Sequence, residues 1–122
     1  MSGSDVPMTL SKGSLVIANH RLTNMVINHL RPSADGDIIV PNEAVSLAGT
    51  TSIHVDEPDN LVIHPEEIEL ITREATQMLP EFDTVRLIRA YTGVRPLLQA
   101  DFRLFHGFFR RFLRLRSVLK NQ

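Results

Sequence analysis

One helix, bounded by two prolines and set between β-rich stretches, constrains this chain more than any other feature. Pro65 suits a first helical position, and Glu66, Glu67 and Glu69 complement the positive end of the helix dipole. Ile68, Ile71, Ala75 and Met78, extended by Leu79, follow the three-and-four spacing of a buried face. That assignment leaves Thr72, Arg73, Glu74 and Gln77 outside, and Pro80 stops the helix. Upstream, residues 14–18 form a short β-branched run that reads as a buried strand. Residues 24–30 fit either period, and residues 33–37 are a strong turn. Residues 37–40 give a strand ended by Pro41 and Asn42, residues 44–48 another, and residues 51–55 a weak alternation. After the helix, residues 84–91 are partly apolar on both sides, which predicts an interior strand. Strands, one principal helix and a further strand describe an α+β domain, a mainly antiparallel sheet with the helix packed on one face.

Length and charge refine that expectation. With 122 residues the chain suffices for one domain with a modest core. It has no cysteine, which excludes disulfides, thiolate metal sites and cysteine nucleophiles. No apolar run is long enough to cross a bilayer as a helix, and residues 1–5 lack the pattern of a secretory signal, so the expected location is cytoplasmic. Residues 1–100 carry 7 Lys+Arg against 13 Asp+Glu, whereas residues 101–122 carry 6 against 1. Five of the six phenylalanines also lie in that last segment. The expected organisation is therefore a leader without structure at 1–11, the domain at 12–99, and a basic Phe/Arg-rich tail at 100–122. On a helix, Leu104, Phe105, Phe108, Phe109, Phe112 and Leu115 of the tail would lie opposite Arg103, Arg110, Arg114 and Ser117. That pattern fits docking on an anionic membrane surface or a partner subunit. The other reading is a segment foreign to the domain, introduced by a shifted reading frame.

Candidate chemistry is sparse. The five histidines, His20, His29, His54, His64 and His106, contain no i, i+4 pair, so no metal site is expected and they read as surface residues. Glu66, Glu67, Glu69 and Glu74 read as a solvated helix face rather than a catalytic carboxylate pair. Ser14, Ser46 and Thr50 have no accompanying pattern for nucleophilic catalysis. Neither a G-x-G-x-x-G motif nor a Walker loop is present, and nothing points to nucleic acid. The run Arg89-Ala90-Tyr91-Thr92-Gly93-Val94-Arg95-Pro96 stands apart. Proline holds the preceding Arg95 extended, and Gly93 permits a positive φ or a close approach. A guanidinium fixed in this way matches carboxylate or phosphate oxygens two at a time, although a solvated or salt-bridged strand-end arginine has the same spacing.

Four ordered blocks give the chain a family likeness. They are Lys12-Gly13-Ser14-Leu15-Val16-Ile17, Asp37-Ile38-Ile39-Val40-Pro41, Leu47-Ala48-Gly49-Thr50-Thr51 and Tyr91-Thr92-Gly93-Val94-Arg95-Pro96. In this order they resemble the FAD-dependent glycerol-3-phosphate dehydrogenases, above all the anaerobic form, over roughly residues 8–99. The resemblance implies a flavoprotein of the glycine/D-amino-acid oxidase type that oxidises glycerol 3-phosphate to dihydroxyacetone phosphate. It joins a Rossmann-like FAD domain to a substrate (cap) domain on an antiparallel sheet, in an enzyme peripheral on the inner membrane. On that basis this chain is part of the substrate domain. It lacks both the glycine motif of the FAD domain and the family's later Gly-Gly-Lys segment, so FAD belongs to the parent and none is expected on the chain alone. The resemblance further implies that Arg95 contacts the substrate phosphate, with Gly93 and Pro96 shaping its approach. It places Lys12, Gly13 and Ser14 at a strand entry beside the substrate cavity and gives Thr50 and Thr51 a structural role. Leu15 stands where some relatives carry a histidine. No catalytic residue is assigned to this chain; glycerol 3-phosphate binding is expected to be weak, and self-association through uncovered apolar surface is expected.

Overall fold

The computed structural model describes residues 6–99. Six strands and one helix appear in chain order. They are β1 (Met8–Ala18), β2 (Ile27–Asn28), β3 (Ile38–Asn42), β4 (Val45–Gly49), β5 (Ile53–Val55), α1 (Pro65–Met78) and β6 (Leu87–Leu98). A 3₁₀ turn, Pro80–Thr84, joins α1 to β6. Residues Thr9–Leu97 form one compact unit. The other described residues group apart from it, and there Gln99 N–H donates to Pro7 O at 3.0 Å. The tail expected at 100–122 lies outside the described residues.

β1 organises the sheet, whose order is β2-β3-β4-β1-β5 with β6 also on β1. Its pairs Leu15↔Gly49 and Lys12↔Ile53 show β4 and β5 following one another along one edge, both antiparallel. Between those pairs, Thr50, Thr51 and Ser52 stand opposite only Gly13 and Ser14, which is a β-bulge. β6 takes the other edge: Asn19 N–H donates to Arg86 O and Thr92 Oγ1 to Gly13 O, so it too runs antiparallel.

The side-chain alternation of β1 explains the layering. Lys12, Ser14, Val16 and Ala18 are all buried, as expected for every second residue facing the helix. Val16 and Ala18 join Ile39, Ala48, Ile71, Ala75 and Phe82 in the core. Lys12 and Ser14 continue the same row as polar groups, and the helix answers them with Glu67.

The α+β expectation agrees with this architecture, while several boundaries differ. β1 begins at Met8, inside the stretch that reads as a leader, and Leu10 and Ser11 of that stretch pair with Val55 and His54 of β5. β3 runs through Pro41 and Asn42 into a tight hairpin with Glu43 at φ 49°. β2 reaches only Ile38 and Ile39, so the missing Pro41 N–H faces an open edge and costs no ladder bond. Residues 80–84 form the 3₁₀ turn, which drops Phe82 into the core. Among the described residues β6 is an edge strand paired with β1 rather than an interior one, and Ile88, Tyr91, Leu97 and Leu98 on it are exposed.

Candidate functional site

Arg95 lies within β6, not at its end, and is exposed. Its Nη2 donates to the Thr51 carbonyl at 2.9 Å. Beneath it lies Gly13, and only with glycine there can the guanidinium keep this seat: a Cβ at Gly13 would stand 2.5 Å from Arg95 Nη2 and 3.1 Å from both Arg95 Cζ and Thr51 O. The guanidinium therefore rests on the β1 backbone, with Thr51 O fixing its direction. Gly93 has no positive φ, and a Cβ there would meet nothing within 4 Å among the described residues. It leaves open space beside Arg95 rather than making a turn.

The bulge is what places Thr51. Its N–H donates to Ser14 O at 3.2 Å, and its Oγ1 accepts the Ser14 N–H at 2.9 Å. Thr51 Oγ1 in turn donates to Glu67 Oε1 at 3.0 Å, to which Ser14 Oγ also donates, at 2.7 Å. Glu67 Oε2 accepts from Lys12 Nζ at 2.8 Å and from the His64 N–H at 2.9 Å. Lys12 Nζ also donates to Val62 O. Side chains of Lys12 and Glu67 are only 2% and 4% exposed, so this is a buried, fully paired ion pair. Burial by itself would raise the Glu67 carboxyl; the bonds from Lys12, His64 N–H, Ser14 and Thr51 outweigh it and hold the pKa down at about 2.

These contacts sort the expected residues into two groups. Arg95 and Gly93 face open space, and Gly13 seats the guanidinium. Lys12 and Ser14 turn to the helix side and hold the bulge rather than presenting their polar ends outward. Glu67 reads from the sequence as a solvated dipole partner and is instead the centre of the network; it occupies the third helical position, where a glutamate reaches back to the N-cap amide. Glu74 is also expected outside. It is 9% exposed and accepts from Arg31 Nη2 at 2.9 Å. His29, expected at the surface, is only partly exposed, with Nε2 3.9 Å from Glu74 Oε2. Among the described residues no cluster of three or more His, Cys, Asp or Glu is placed to hold a metal.

The FAD-dependent oxidoreductase family model matches residues 1–115. The chain belongs to the FAD-dependent oxidoreductase family. An anaerobic glycerol-3-phosphate dehydrogenase subunit from Haemophilus influenzae is 40% identical over 98 residues, covering 79% of this chain and 17% of that protein. Its Escherichia coli K12 counterpart is 42% identical over 98 residues, covering 79% and 18%. The anaerobic glycerol-3-phosphate dehydrogenase subunit from Haloferax volcanii is 36% identical, covering 80% and 17%. The chain thus spans less than a fifth of the curated relatives it matches. Glycine oxidase from Bacillus cereus shares the fold with a TM-score of 0.62 at 23% identity, over 75% of this chain and 24% of that one.

An FAD-dependent oxidoreductase needs a cradle for the dinucleotide, typically a glycine loop between a strand and a helix N-terminus. The described residues do not fit that role. α1 begins at Pro65, its N-cap amide is taken by Glu67, and no glycine-rich loop precedes it. No helix among the described residues is long and apolar enough to cross a membrane.

Proposed function

We propose that this chain supplies the phosphate-contacting wall of an FAD-dependent glycerol-3-phosphate dehydrogenase, with Arg95 as the contact. The observation that carries this reading is the exposed guanidinium seated on Gly13 and aimed by Thr51 O. One Nη2 hydrogen is committed to that carbonyl, which fixes one side of an exposed donor fork suited to phosphate oxygens. Lys12 and Ser14 contribute from beneath by holding the bulge. The names of the relatives supply the substrate class. Hydride transfer itself belongs to the flavin that the family employs, and this chain contributes binding and orientation.

Binding by the chain alone rests on one charged contact, so the expected dissociation constant is on the order of millimolar or weaker. Titrating ¹⁵N-labelled chain with glycerol 3-phosphate should move the amide signals of Gly13, Thr51 and Arg95. Glycerol, which lacks the phosphate, should not move them, and Arg95→Gln should abolish the effect. Equal responses from Arg95→Gln and the unaltered chain would remove Arg95 from the substrate account.

A further inference from the structure

We propose that Glu67 is a positioning residue for Arg95, acting through Thr51. The inference deepens the reading of Arg95 as the phosphate contact and rests on it. The path is short and every step is a hydrogen bond. Glu67 Oε1 holds Thr51 Oγ1 at 3.0 Å, and Thr51 is doubly tied to Ser14 through its N–H and Oγ1. Thr51 is 1% exposed, and its backbone carbonyl accepts Arg95 Nη2 at 2.9 Å. Backbone bonds at the bulge hold the Thr51 N–H and the Thr50 carbonyl. The Thr51 carbonyl belongs to the next peptide plane, where the bonds of the Thr51 side chain supply the further anchor. Glu67 is suited to that task because four donors from three segments converge on it: Lys12 and Ser14 from β1, Thr51 from the bulge, and the His64 amide from the helix start. Moving the carboxylate would move all of them together.

Mere support of the fold would not predict a change at Arg95 itself. The test is therefore the Arg95 guanidinium resonance in ligand-free protein, measured alongside glycerol 3-phosphate affinity. Thr51→Val removes the hydroxyl link while keeping the backbone, and Thr51→Ser restores it. Thr51→Val should shift the Arg95 Nε–H signal and weaken the phosphate ligand about 3- to 10-fold, the size of one lost hydrogen bond. Thr51→Ser should keep both near their original values, and Glu67→Gln should follow Thr51→Val. A Thr51→Val protein that retains dispersed core methyl signals and an unmoved Arg95 resonance overturns the positioning role. If the Arg95 resonance moves but the unaltered chain shows no response to glycerol 3-phosphate, positioning stands and the substrate reading fails. Should Glu67→Gln not fold, the two threonine variants decide the matter.

Discussion

α1 carries two buried carboxylates, Glu67 and Glu74, seven residues apart and so on one face of the helix. They are held differently. Glu67 meets a lysine as buried as itself, with three further donors filling its oxygens. Glu74 meets Arg31, whose side chain is 38% exposed and is shared with Asp37. Arg31 is the first cause that lowers the Glu74 carboxyl, ahead of the opposing effect of burial, and water screens that pair in a way it does not screen Lys12. The lesson is that burial of a carboxylate does not predict its importance; the burial of its partner does.

The largest expected effect tests that contrast directly. Glu67→Ala leaves Lys12 charged and unpaired in the interior and should cost roughly 3–5 kcal/mol in chemical denaturation at neutral pH. Glu74→Ala should cost clearly less, since Arg31 can turn to water and keep Asp37. Equal losses would collapse the distinction. The pH dependence follows with its sign fixed. The folded Glu67 carboxyl sits at about 2, below its ordinary 4.5, so its contribution is complete above pH 4.5 and is lost as pH falls toward 2. Unfolding free energy should therefore decline across that window, and Glu67→Gln should flatten the slope more than Glu74→Gln does. A profile unchanged between pH 4.5 and 3 would contradict the pairing described for Glu67.

A smaller effect belongs to the Glu74 end of the helix. Gly36 has φ 72°, and a Cβ there would stand 2.9 Å from Glu74 Cβ. Gly36→Ala should thus cost about 1–2 kcal/mol from the left-handed backbone together with the crowding. Gly36 N–H donates to the Thr50 carbonyl of the bulge at 2.9 Å, and alanine keeps that N–H, so any response to glycerol 3-phosphate should stay intact. Loss of that response would join the two ends of the helix into one functional unit.

Much of this arrangement is legible in the residues. Pro65, Pro80 and the Ile68-Ile71-Ala75 spacing mark α1 correctly, and the Val-Arg-Pro run gives an extended Arg95. The polar network is hidden because charge reads as exposure. Glu67, Ile71, Glu74 and Met78 share the apolar stripe, so two acids at core spacing are the available signal. Lys12 and Ser14 give the same signal on β1, in phase with Val16 and Ala18. The bulge itself has no sequence signal, since it arises from pairing between segments distant in sequence, and a one-residue offset leaves no local pattern. The edge position of β6 is hidden for a related reason: apolar residues on both sides of a strand record what covers it, and here Ile88, Tyr91 and Leu97 remain exposed.

The smallest effect on stability should carry the most information about the Glu67 end. At Gly13 the atoms nearest a new Cβ are Arg95 Nη2 at 2.5 Å, then Arg95 Cζ and Thr51 O at 3.1 Å. The first two belong to the far end of an exposed side chain, which can swing away; the third needs a shift of a few tenths of an ångström. Gly13→Ala should consequently cost only about 1 kcal/mol or less in denaturation, the range of a surface change with slight crowding. It nevertheless evicts the guanidinium from its seat, so the response to glycerol 3-phosphate should vanish as completely as in Arg95→Gln. Gly36→Ala and Gly13→Ala then form opposite cases, one losing stability and keeping affinity, the other keeping stability and losing affinity. If Gly13→Ala binds the ligand as the unaltered chain does, the seat on β1 has no part in recognition, and the Glu67 network is a device of folding alone.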